Sequence, residues 1–403
     1  MSTNYLWLLL VAFPALLAAE ERKNERLAAM GDNSWLYLDP QPSARLVLEE
    51  RRANSPVRRI TSKEPYFREY TSPAFGGGKL IYFGGGHSGY WGNDVEVYDP
   101  LENTWRQSYP PKCPPRDDST YYSGGSERSY LDPATGEPQP YVLHGYARTG
   151  FDAGLGLYVS TTTFPAKAAR DPKTNQWRLM DQTFGLAGFD ATTNRWKLLA
   201  TMPSELVSGQ AGLSYDSDLK GLVGFSSGGV FLFKDEKWSR LGDANVPVAA
   251  SGGAAAIYVS HAKSHLIAVL GHGGKEEQGQ LTLYDMAKKQ GRKVESLPEE
   301  VRRRIGPGTG AYNLLMSYDE ANERVVVLSA SKERLPEVWT FDVASDRWEK
   351  LPAASGAPKL FSDFEPGVGR APLVYDPVHQ VFLVVLRKNE FVETWAYRYR
   401  AKR

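Results

Sequence analysis

The chain is poor in the groups that most readily reveal a function. It has one cysteine, Cys113, among 403 residues. No internal disulfide can form, so the fold rests on its core. Histidine is scarce, at six residues. Charge of one sign is lacking too: 48 Lys and Arg stand against 47 Asp and Glu, a net +1. That balance excludes bulk attraction to nucleic acid or to an anionic membrane. Long apolar runs are absent apart from residues 6–19, bounded by Glu20, Glu21 and Arg22. This run is short for a bilayer and ends in Ala18 and Ala19, the form of a secretory leader. The expectation is a cleaved leader over residues 1–19 and a secreted or periplasmic protein, with a retained N-terminal anchor as the alternative. No P-loop and no nucleophile elbow occurs.

What the chain does have is glycine (38), proline (26) and aromatics (12%), a composition for many short strands joined by turns. A unit recurs. Two strand-like runs lead to an aromatic and an Asp, and six residues after that Asp stands a Trp. The pairs are Asp99 and Trp105, Asp190 and Trp196, Asp342 and Trp348. Weaker copies fill the gaps: residues 213–238 are short, 255–285 lack the Trp, and 373–399 lack a fourth strand. Asp152, Asp216, Asp319 and Asp376 mark the first turn of their units. Each unit reads as a four-stranded antiparallel sheet that cannot bury both faces alone. Radial stacking buries them, with the Asp and Asn residues making the turns and the Trp packing on the next sheet.

The reading is therefore an all-β β-propeller of six blades, with seven as the alternative if residues 44–70 hold a degenerate one. Residues 33–40 (NSWLYLDP) read as a lone outer strand, and the last unit lacks one. Pairing the two would lock the ring. The layout is a leader at 1–19, an N-terminal segment at 20–69 and the propeller at 70–403.

Loops before the first strand and between the second and third strands share one face of such a ring, and long loops there build sites. Two are long, residues 110–140 and 165–181. The first unit's second run ends in Gly84, Gly85 and Gly86, followed by His87, Tyr90, Trp91 and Asn93. Either this is turn and packing, or the glycines open room for a ligand. In YVLHGYARTGFD, His144, Tyr146 and Arg148 alternate, which in a strand puts them on one side, beside the His87 loop. An ordinary buried polar cluster is the bland alternative. His272 (LGHGG) repeats the His87 pattern and joins Tyr90, Trp91 and Asn93 as a ligand-binding candidate. His261 and His265 flank a hairpin and are expected in solvent; His379 falls in an Asp-Pro turn and is expected at the surface. Neither metal nor cofactor is expected. The expected partner is a polysaccharide or protein on the loop face, met by a single copy of the chain with no membrane span once the leader is gone.

Gly84 to Gly86, Tyr98-Asp99 and Trp105 resemble the kelch-type propellers, the class that includes the central domain of galactose oxidase. The resemblance covers roughly residues 70–400 and implies the propeller fold. A weaker resemblance is to propeller polysaccharide lyases such as the ulvan lyases. It implies a histidine after a glycine-rich strand end and a second histidine at the next blade, matched by His87 and His144. Tyr146 and Arg148 match in type. In that chemistry an arginine neutralises a uronate carboxylate, and a histidine or tyrosine takes the neighbouring proton.

Overall fold

The computed structural model describes residues 23–41, 71–84, 94–109, 130–131, 134–140, 145, 148–208, 212–226, 229–243, 254–269, 280–305, 316–331, 335–359, 373–388 and 391–400. Six four-stranded antiparallel sheets stand around one axis. Blade one is Ala74–Gly76, Lys79–Phe83, Val95–Asp99 and Thr104–Tyr109, from axis to rim. Blade two is Thr149–Asp152, Leu157–Arg170, Trp177–Asp190 and Arg195–Thr201. Blade three is Gly212–Asp216, Gly221–Ser226, Gly229–Lys234 and Lys237–Gly242. Blade four is Ala254–Val259, Ser264–Val269, Leu281–Asp285 and Gln290–Lys293. Blade five is Met316–Asp319, Arg324–Ala330, Pro336–Asp342 and Arg347–Lys350. Blade six takes Leu373–Asp376, Val381–Lys388 and Phe391–Arg398 from the C-terminus, and its outer strand, Ser34–Tyr37, from the N-terminus. Inner strands touch in sequence and blade six meets blade one, so the ring closes at six and not seven.

The six-residue spacing has a local cause. The Asp99 carboxylate accepts from the N–H groups of Leu101 (3.0 Å) and Glu102 (3.3 Å), and Asn103 then takes a left-handed φ of 51°. Asp190 and Asn194 repeat this, as do Asp342 and Asp346. The chain re-enters its sheet so that the Trp lies directly opposite the aromatic before the Asp: Trp105 on Tyr98, Trp196 on Phe189, Trp348 on Phe341. The ring centroids are 5.2, 5.2 and 4.5 Å apart. Blade six obtains its Trp from the other end of the chain: Trp35 pairs with Tyr397 at 4.9 Å.

Apolar side chains gather in six clusters, and each lies between two neighbouring blades. The outer-strand Trp packs on the preceding blade and not, as expected, on the next. Trp196 of blade two lies 4.6 Å from Phe83 of blade one, and the Trp105 indole N–H donates to Thr394 Oγ1 of blade six (2.8 Å).

Near the axis a second relation repeats. An inner-strand tyrosine of one blade faces the first-turn acid of the blade before it. Tyr258 faces Asp216 and Asp218, and Tyr375 faces Asp319. Burial first, then these carboxylates, push both phenols far above their ordinary range. Blade one breaks the pattern, with Gly76 where the acid would stand, and blade two answers with Phe151, whose ring lies on that glycine.

Candidate functional site

The two faces of the ring differ. On one, the first and third turns of the blades are short, and aspartates close most of them. On the other, the chain leaves each second strand for the third, and each rim strand for the next blade. Most of the long connections start and end on this face, including those from Phe83 to Val95 and from Tyr109 to Thr149.

At the corner of blades one and two, three backbone stretches meet on this face. The Thr71 hydroxyl donates to the carbonyl of Phe83 (2.8 Å), and the Thr149 hydroxyl donates to that of Ser72 (2.8 Å). Gly145 stands so close that a Cβ there would lie 2.6 Å from Thr71 Oγ1. Phe83 is where the segment with His87 departs, and Gly145 lies between His144 and Tyr146. Phe83 and Gly145 thus both lie against Thr71. His87, Tyr90, Trp91, Asn93, His144, Tyr146 and His272 themselves lie outside the described residues.

Arg148 is described, and it differs from expectation. Its N–H donates to the Gly145 carbonyl (2.9 Å), closing a turn, so the alternation of a strand does not extend back to residue 145. Its guanidinium lies over the ring of Phe184, 5.8 Å from the centroid. Phe184 belongs to the cluster between blades two and three, whereas Thr149 points at blade one. Arg148 is therefore turned away from the corner where the His87 segment departs.

Two acids escaped the sequence reading. Asp94 and Glu96, at the return of the His87 connection into its sheet, are both buried. Asp94 accepts from Gln107 Nε2 at 3.3 Å. The available signal was their placement in DVEV, acids alternating with valine in a strand whose two faces are both covered.

Three histidines belong to the opposite face, and two were misplaced by their hairpin context. His265 is fully buried, its Nε2 3.1 Å from Asp216 of blade three. Its ring lies between Phe225 and Tyr258, because the neighbouring blade covers the strand on which it sits. His379 is buried as well, its Nδ1 2.5 Å from Asp376. Its Nε2 accepts from the N–H of Asn24 (3.0 Å), which fixes the proton on Nδ1. His261 is half-buried and pairs with the Tyr318 hydroxyl at 2.7 Å. Among the described residues no group of three or more His, Cys, Asp or Glu is placed to hold a metal ion. Among those residues no helix is long and apolar enough to cross a membrane.

The Kelch motif family model matches residues 68–108, which span blade one. The chain is thus a six-bladed propeller that carries a Kelch motif at its first blade. No curated protein matches the sequence. Similar solved structures include an oligogalacturonate lyase from Vibrio parahaemolyticus, 9% identical over 82% of this chain and 90% of that one, TM-score 0.41. A GH74 xyloglucanase from Xanthomonas campestris is 13% identical over 78% and 43%, TM-score 0.41. An auxiliary nutrient binding protein from Bacteroides ovatus is 8% identical over 82% and 69%, TM-score 0.41. A lyase, a xyloglucanase and a binding protein share the likeness, and at these identities it favours no chemistry.

Proposed function

We propose that the chain is an exported binding module whose connection face takes a carbohydrate or protein ligand. The observation that carries this reading is the segregation of the two faces. One is sealed by short turns whose aspartates satisfy their own backbone. The other gathers long connections and, at one corner, buried polar groups around Phe83, from which the connection that carries His87, Tyr90, Trp91 and Asn93 in sequence departs. Flat aromatic rings with hydrogen-bonding neighbours suit sugar rings as well as protein anchors. The test is a panel of glycans and of proteins from the same compartment, probed with the full chain and with Trp91→Ala. Loss of about tenfold or more in affinity is expected for the variant. A ligand bound equally by both proteins would remove this corner from the site.

A second reading is β-elimination on a uronate-containing glycan by His87, His144, Tyr146 and Arg148. The closeness of Phe83 and Gly145 to Thr71 supports it, and the turn of Arg148 towards blade three speaks against it. Its test is ultraviolet absorbance of an unsaturated uronate product. A true lyase would lose about 10²–10⁴-fold in rate in His144→Ala. Export follows from the leader-like residues 1–19, and sequencing the mature N-terminus tests it: a start at or near Glu20 supports release, and an intact Met1 supports an anchored accessory subunit.

A further inference from the structure

Blade two is unlike the other five. Its second and third strands, Leu157–Arg170 and Trp177–Asp190, run to 14 residues each, where their counterparts run to 5–8. Their sheet neighbours stop early. The inner strand pairs only from Leu157 to Ser160, and the rim strand only from Gly185 to Asp190. Beyond Phe164 the two strands continue alone as a ribbon, closed by a turn at residues 171–176. The six residues after Phe164, up to Arg170, carry it about 20 Å off the ring, on the connection face. Residues 166–170 and 172–176 are exposed. A two-stranded ribbon is marginal in water by itself, so its exposed length is suited to meeting a partner.

Its charge indicates which. Residues 165–181 carry Lys167, Arg170, Lys173 and Arg178 against Asp171 and Asp181, in a chain whose whole net charge is +1. The two acids are engaged locally. Asp171 accepts from the N–H groups of Lys173 (2.8 Å) and Thr174 (3.2 Å), and Asp181 from that of Gln182 (2.8 Å). Arg170 commits Nε to the Asn175 carbonyl (3.0 Å), which leaves the terminal nitrogens of its fork. Lysine, arginine and Pro165 along the ribbon discourage the addition of a foreign β-strand, which argues against edge pairing as its use.

We infer that the ribbon is an electrostatic arm for a polyanionic saccharide lying on the connection face. This rests on the reading of that face as the ligand face. The test uses the full chain and a variant combining Lys167→Glu, Arg170→Glu and Lys173→Glu. Polygalacturonate is the acidic probe, dextran the neutral one and polyglutamate the acidic non-saccharide. The substituted side chains are exposed, so the variant should keep the native Tm. The expected result is polygalacturonate binding that weakens with added salt and falls at least about tenfold in the variant. Equal binding by both proteins overturns the arm. So does a native chain that binds dextran but not polygalacturonate, though the connection face then stands as a ligand face. Preference for polyglutamate overturns the saccharide assignment. Binding of no polymer and no protein overturns both readings.

Discussion

His265 shows how one residue can couple stability to pH. Burial holds its imidazole below its ordinary 6.5, against the pull of Asp216. Asp216 is also held low: burial works against its charge, but the His265 ring and the N–H groups of Leu219 and Asp218 outweigh it. Both shifts act in one direction. Between the folded and ordinary values only the unfolded chain takes up the proton, so stability is complete above about 6.5 and falls as the pH falls below it. Urea midpoints should decline across that range. His265→Phe should flatten the decline and, by leaving the Asp216 carboxylate without its ring partner, cost about 1–3 kcal/mol at neutral pH. An unchanged acid limb in the variant would assign the effect elsewhere. Arg398 is a second buried ion. Its guanidinium donates to the carbonyls of Leu27 (2.8 Å), Ala28 (3.2 Å), Met30 (2.6 Å) and His379 (2.7 Å). Arg398→Met should cost about 3 kcal/mol or more, read as a lowered urea midpoint, because four carbonyls lose the guanidinium, with that of Leu27 keeping a second donor, the N–H of Met30. At this scale the sequence was least legible. A histidine in a turn looks solvated until the neighbouring blade is placed over it. Nor does the sequence announce the turn that the Arg148 N–H closes onto Gly145.

At the scale of elements the sequence was far more open, because the turns are self-contained. An Asp, a left-handed residue and a Trp opposite an aromatic need only their own hairpin, so the spacing survives in the sequence. The missing outer strand of the last unit was legible for a similar reason: a lone strand motif stood unused at the other end. The long hairpin of blade two was not. Its proline, charges and Asp-Pro pair read as an insertion, and only the register of Pro165 on Gln182 and Arg170 on Trp177 makes it a continuing sheet. Asn24 is the first residue with ring contacts among those described. Removing residues 1–39 takes away Trp35 and the whole rim strand. Deleting one buried tryptophan side chain alone costs about 3–5 kcal/mol, so this truncation should unfold blade six or expose it to protease. Gly76 offers a sharper test. A Cβ there would lie 1.9 Å from the Phe151 ring. Gly76→Ala should lower the Tm, and in the Phe151→Ala background the same change should cost less, a coupling of about 1 kcal/mol or more.

For the whole molecule, the six clusters between blades mean that no blade owns a core. Thermal unfolding should accordingly be one cooperative transition, with tryptophan fluorescence and far-ultraviolet dichroism coinciding; separate midpoints would show blades melting independently. The chain order of the sixth blade carries a further consequence. A ribosome makes the strand Ser34–Tyr37 more than 350 residues before its partner Phe391–Arg398. Throughout that interval the early strand lacks its partner, and the first blade lacks the neighbour that covers its Trp105. The ring cannot be finished piece by piece. Its closing contact spans more than 350 positions of sequence (the Asn24–His379 bond alone spans 355), so completion waits for the last strands of blade six and is the step most exposed to mispairing with another copy.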